Sequence, residues 1–261
     1  MGEFKGKVVV ISGGSRGIGR GIAEAFAREG AQTVIASTSE HNLAQAVEAI
    51  AKTGGPNPVT AALDLRKLDD CHKLHALVKK GLGRCDVLVN NAGATKAGNF
   101  LELSDDIWQD GFMLKFFGCV RLSRMFWPML KDAQGSVVNI GGGAARTPSQ
   151  DFLIGGSCNA AMANFTKGLS RLGMKDGVNV NIIHPGLTAT DRVQDLFAQR
   201  ASAAGKTIGE ISAQAIARDG IKRMGEPADV ADLTVFLCSE KGRHIQGAAI
   251  PVDGGSTPGF Y

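Results

Sequence analysis

The chain contains one tyrosine, and it is the last residue, Tyr261. No interior segment can supply a phenolic proton donor, which leaves acid–base chemistry there to lysine, histidine, carboxylates and thiols. Apolar runs are short, and none approaches the ~20 residues that a membrane-spanning helix needs. The first residues, "MGEFKGKVVVISGG", lack the apolar stretch of a secretion signal, so a cytoplasmic protein is expected. Cys71, Cys85, Cys119, Cys158 and Cys238 show no CxxC spacing, and an odd count suits reduced thiols better than a disulfide framework. No metal site is expected from them. A block of Lys and Arg is also missing: 29 basic and 25 acidic residues, net +4, are spread along the chain, which argues against nucleic acid and anionic membranes as partners.

What is present is an alternation. Strand-like runs at 7–12, 33–37, 59–65, 85–93, 135–141 and 178–186 are separated by segments whose apolar residues recur every three or four positions. That rhythm predicts a single α/β domain, a doubly wound parallel sheet of about seven strands with helices on both faces. Length and 44 % hydrophobic content suffice for one such core. After Gly186 the text changes to one or two helices with loops, and residues 187–224 are expected to form a substrate lid. The chain then closes with a helix, "PADVADLTVFLCSE", and a last strand, "AAIPVDGG".

"VVVISGGSRGIGRGIAEAF" is a strand, a glycine turn and a helix in succession, with Gly13, Gly17 and Gly19 in GxxxGxG spacing. Such a turn brings backbone amides and a helix N-terminus against a pyrophosphate. "NNAG" (90–93) follows the fourth strand and "PGLTAT" (185–190) the sixth. In that order the three motifs resemble the short-chain dehydrogenase/reductase family, a Rossmann fold, from Lys7 to Gly255. The resemblance implies that Gly13, Ser15, Arg16, Gly17, Ile18 and Gly19 wrap the pyrophosphate and adenosine side of a nicotinamide dinucleotide. Asp64 and Leu65 would lie beside the adenine, Asn90, Ala92 and Gly93 beside the riboses, and Pro185, Gly186, Thr188 and Thr190 near the nicotinamide. The second strand ends "ASTSE", so Ser37 and Thr38 stand where an acid would repel a 2′-phosphate, and Arg16 offers that phosphate a planar multi-donor group. NADP(H) is therefore expected in preference to NAD(H).

The stretch from Asn139 to Ser170, "NIGGGAARTPSQDFLIGGSCNAAMANFTKGLS", departs from the resembled pattern. The family's catalytic serine, tyrosine and lysine positions fall on Gly142, Gly155 and Asn159, and its helix asparagine on Lys115. Hydride addition to a simple ketone would then lack the family's proton donor and oxyanion support. Because the thirteen- and four-residue spacings survive, Gly155→Tyr with Asn159→Lys is expected to raise ketone reduction from a low base. Lys115, Asn159 and His184 are the candidate catalytic residues, with Arg146, Ser149, Gln150, Asp151, Ser157 and Cys158 nearby. Lys115, in "FMLKFFG", either meets an anion or cofactor hydroxyl or snorkels to the surface. Asn159 either bonds a ribose hydroxyl or caps its helix locally; His184 either supplies a proton or is structural.

Three functions fit these residues. One is a divergent NADP(H)-dependent oxidoreductase acting on a conjugated C=C bond or another carbonyl-containing small molecule. Another is a non-catalytic NADP(H)-binding sensor or partner subunit, and the third a lyase or isomerase without net redox. A homodimer or homotetramer is expected, built on the helices after Asp106 and Gly155 and the strand 248–252, which resemble the family's interface elements.

Overall fold

The computed structural model describes residues 2–258, so Tyr261 lies outside it. Seven parallel strands run in the order β3-β2-β1-β4-β5-β6-β7. They are β1 (Val8–Ser12), β2 (Gln32–Ser37), β3 (Val59–Ala62), β4 (Val87–Asn90), β5 (Ser136–Ile140), β6 (Asn179–Pro185) and β7 (Ala249–Val252). The expected doubly wound sheet is thus observed. Several strands are shorter than the apolar runs that announce them, because each run continues into the turn that lines the sheet's carboxyl edge.

Side-chain alternation splits the core in two. Val9 and Ile11 face α1 (Gly17–Arg28), α2 (Glu40–Ala51) and α9 (Pro227–Cys238), meeting Ile22, Phe26, Leu43, Ile50 and Leu237. Val8 and Val10 face the opposite layer, where α3 (Leu68–Gly81) and α5 (Gly118–Asp132) contribute Leu74, Val78, Leu122, Phe126 and Leu130. Both faces being covered, β1 is buried at every position, which is why it reads as an unbroken apolar run.

Three local features position the site. Helix α1 ends as expected near Gly30, which takes a left-handed φ of +85°. A π-helical turn, Met113–Phe117, links α4 (Asp105–Phe112) to α5 and carries Lys115. Between β6 and α9, α7 (Asp191–Ala204) and α8 (Ile208–Asp219) pack on each other through Phe197, Ala201, Ile211 and Ala215, with Leu187, Val193 and Met224 against them. A bridge between Thr188 and Gly225 ties the two ends of that segment together.

Candidate active site

The strand order reverses between β1 and β4, so the chain diverges there and leaves a crevice at the carboxyl ends of the strands. A cleft of about 520 Å³ occupies it. Gly13 and Gly17 adopt left-handed φ values of +66° and +53°, and a Cβ on Gly19 would fall 2.1 Å from the Gly13 carbonyl oxygen. Only glycine lets loop and helix approach this closely. Arg16 is the N-cap of α1 in an extended conformation, exposed and making no side-chain cap, and no acid occupies the first turn. The first amides of α1 are therefore available to an anion in the cleft. These residues fit a dinucleotide pyrophosphate.

Gly13, Ser15, Arg16, Gly17, Ile18, Gly19, Ser37, Thr38, Leu65, Ala92, Gly93 and Thr190 all line this cleft. Ser15 Oγ donates to Ser37 Oγ at 2.8 Å, joining the glycine turn to the end of β2. Five expected cofactor-binding residues do not line it. Asn90 is buried at the end of β4, its Nδ2 donating to Ser123 Oγ at 3.1 Å and Asn139 Oδ1 at 2.8 Å. The next residue, Asn91, faces the cleft instead and donates to the carbonyls of Ser12 and Gly13. Asp64 is turned to Arg66, accepting from its backbone amide at 3.1 Å and its Nη1 at 3.2 Å. Pro185 closes β6, Gly186 donates to Val252, and the buried Thr188 hydroxyl donates back to Gly186 at 3.1 Å.

The cleft also takes in Arg66, Asp191 and Arg192, which sequence reasoning missed. Arg66 pairs with Asp64 and Asp110 from two sides. Arg192, at the start of α7, reaches across to donate to the Thr95 carbonyl at 3.1 Å. Position immediately before the second motif glycine made Arg16 legible; no comparable signal marks Arg66 or Arg192.

The expected catalytic residues Lys115, Asn159 and His184 stand outside the lining of this cleft. Lys115 lays its stem against Gly93, which does line it, and a Cβ there would stand 3.0 Å from its Cγ and Cδ. Its Nζ donates to the Gly141 carbonyl at 3.3 Å. Burial drives its pKa from 10.5 down to about 8, Arg192 adding to the fall and Cys158 opposing it. The lysine therefore does not snorkel: its stem is half-buried and its amine is desolvated. Burial pushes the Cys158 thiol up to about 11, so that residue is an inert thiol at neutral pH.

His184 is buried at the end of β6, its Nδ1 3.0 Å from the Gly142 carbonyl oxygen and 3.2 Å from the Gly142 nitrogen. Burial holds its pKa below the ordinary 6.5, so the ring is neutral at pH 7. Asn159 is buried in the second turn of α6 (Leu153–Asp176), and a Cβ on Gly142 would stand 2.8 Å from its Nδ2. Its amide faces the floor that Gly142 leaves open. A Cβ on Gly155 would lie 2.1 Å from the Phe152 ring. A tyrosine restored at 155 would meet the Phe152 ring, which is only partly buried and has to move aside for the phenol to enter. Among the described residues no group of histidines, cysteines and carboxylates could hold a metal ion, and no helix is long and apolar enough to cross a membrane.

A family profile described as Enoyl-(Acyl carrier protein) reductase matches residues 13–257. The chain is 30 % identical to the 2,3-dihydro-2,3-dihydroxybenzoate dehydrogenase of Bacillus subtilis, with 98 % of each covered. Among solved structures, the L-sorbose reductase of Gluconobacter frateurii, complexed with NADPH and L-sorbose, is similar with a TM-score of 0.94 and 32 % identity, covering 100 % of this chain and 99 % of that one. A short chain dehydrogenase of Burkholderia cenocepacia in complex with NADP gives a TM-score of 0.85 at 29 % identity, covering 97 % of this chain and 99 % of that one.

Proposed function

The chain belongs to the short-chain dehydrogenase/reductase family, and on that footing we propose that it is an NADP(H)-dependent oxidoreductase with an atypical active site, acting on a conjugated C=C bond or another carbonyl-containing small molecule. One observation carries the cofactor reading: the glycine cradle at Gly13, Gly17 and Gly19 opens beside Arg16, Ser37 and Thr38, with no acid at the end of β2. NADPH, when bound, supplies a hydride. Arg16 is exposed where it can meet a 2′-phosphate in a planar, charge-assisted contact, while Ser37 and Thr38 accept the ribose edge without repulsion.

At the reacting end the family's serine, tyrosine and lysine positions are read as Gly142, Gly155 and Asn159. Lys115 then becomes the group that meets the substrate's carbonyl. Asn159 shapes the floor beneath it, and His184 holds the Gly142 backbone rather than giving up a proton at pH 7. The helix pair within 187–224 is read as the lid over the substrate, since Thr190 approaches Gly17 and Arg192 clasps the loop after β4. The protein is read as a cytoplasmic homodimer or homotetramer.

Titration of nicotinamide fluorescence tests the cofactor. NADPH is expected to bind more tightly than NADH, and Arg16→Ala to weaken NADPH about ten-fold or more, equivalent to ~1.4 kcal/mol, with little effect on NADH. Equal affinities for the two cofactors would refute the preference. A panel of enones, enals and simple ketones tests the chemistry by NADPH oxidation. Binding without turnover on any of them would make the protein an NADP(H)-binding sensor or partner subunit instead.

A further inference from the structure

We propose that Lys115, partly exposed beside the cleft-lining Gly93, is a nucleophile that captures an aldehyde or ketone substrate as an imine. This rests on the reading of the chain as a carbonyl-handling oxidoreductase and specifies how it engages its substrate. The geometry comes from three separate elements. The π-helical turn sets Lys115 out of the α4–α5 helix line, Gly93 after β4 gives room for its stem, and Gly141 after β5 takes one N–H. Gly93 itself lines the cleft, so the stem forms the wall immediately behind it.

No carboxylate faces the amine to stabilise a positive charge; only the Gly141 carbonyl and, weakly, Cys158 favour it. None of the ion pairs among the described residues includes Lys115. The titratable and charged groups that bear on it are Arg192 from α7, a cation; Cys158 from α6, a thiol at neutral pH; and His184 from β6, a neutral ring. An ammonium here would present three donors to one carbonyl acceptor. A neutral amine gives one N–H to Gly141 and keeps its lone pair, the condition of a Schiff-base lysine. The lowered pKa of about 8 agrees with this.

The step is balanced without a co-reactant. The Nζ lone pair forms a bond to the carbonyl carbon while the C=O π pair moves to oxygen, which takes a proton from the nitrogen. The resulting hydroxyl then leaves as water with a second proton, and C=N forms; nothing is oxidised or reduced, and hydrolysis reverses it. With an α,β-unsaturated aldehyde, protonation of the imine places positive charge in conjugation with the C=C bond. That bond becomes electrophilic without any phenol protonating an oxygen, which answers the lack of an interior tyrosine.

The test is reductive trapping on the full-length protein with cinnamaldehyde and sodium cyanoborohydride, read by intact mass and peptide mapping, in parallel with NADPH titration. Wild type is expected to gain one adduct per chain, of the aldehyde's mass less one oxygen atom, on the Lys115 peptide. The rate should rise between about pH 7 and 9 and exceed that of any other lysine by about ten-fold, given the larger neutral fraction at a depressed pKa. Lys115→Arg and Lys115→Met should lose that adduct while circular dichroism shows them folded. Labelling spread over exposed lysines, equal in wild type and Lys115→Met, would overturn the proposal. Should a variant not fold, mapping of the wild-type adduct decides alone. NADPH binding with no Lys115 adduct defeats the imine and spares the cofactor assignment; an adduct without NADPH binding upholds the imine and defeats that assignment.

Discussion

Lys115 affects stability as well as chemistry, and the sign follows from the direction of its shift. Its pKa falls from 10.5 to about 8 on folding, burial being the largest cause. Below about pH 8 both folded and unfolded chains carry the proton, and the folded state bears the whole penalty of burying it. Between about 8 and 10.5 the unfolded chain binds more protons than the folded one, so stability on this account rises with pH. Lys115→Met removes the penalty and keeps the stem's packing. Denaturant melts should show the variant more stable by about 1–3 kcal/mol at pH 7, a difference that shrinks by pH 10. A variant no more stable at pH 7 would mean that the ammonium is hydrated.

At the scale of elements, the turn into α6 decides whether the family's chemistry can be rebuilt. The spacing that puts residues 155 and 159 one turn apart on α6 is legible in the sequence, and both lie on its buried side. Phe152, the N-cap of that helix, lies three residues before Gly155 and lays its ring against it. Phe152 therefore does by packing what a side chain at 155 would otherwise do, and Gly155→Tyr must displace it. Gly155→Tyr with Asn159→Lys is expected to remain close to inactive on simple ketones and to melt earlier than wild type. Adding Phe152→Ala should raise NADPH-dependent ketone reduction about ten-fold or more above the double variant, since the ring's volume becomes available to the phenol. An equally active double variant would show that Phe152 swings aside freely. Gly142→Ser has a parallel difficulty, because Asn159 Nδ2 already stands 2.8 Å from where its Cβ would be.

For the whole molecule, the outer surfaces of the π turn and α6 bear on assembly. Phe117 is 43 % exposed, Leu172 44 % and Met174 65 %. These lie on the two helical segments expected to carry the interface, after Asp106 and Gly155. Multi-angle light scattering at micromolar concentration is expected to give the mass of two or four chains, and a stable monomer would refute the assembly. The remaining charge forms a solvated exterior: Arg20–Glu24, Lys73–Asp70 and Arg218–Asp219 are surface ion pairs that water and salt screen.

The sequence by itself determined the order of strands and helices, the two-faced burial of β1 and the glycine cradle before α1, because side-chain alternation and left-handed φ values are properties of a few consecutive residues. Missing residue types were just as legible, since a chain with no interior tyrosine has none wherever it folds. Tertiary structure decided which asparagine of "NNAG" faces the cleft. Asn90 turns to Asn139 and Ser123, 49 and 33 residues away, and Asn91 to the Gly13 turn. It likewise brought Arg66 and Arg192 to the cleft, placed the amine of Lys115 against Gly141, and oriented Asp64 toward Arg66. The local text around Lys115 fits a snorkelling side chain as well as a buried one. Desolvation depends on what remote segments pack around a group, and no short window of sequence contains that information.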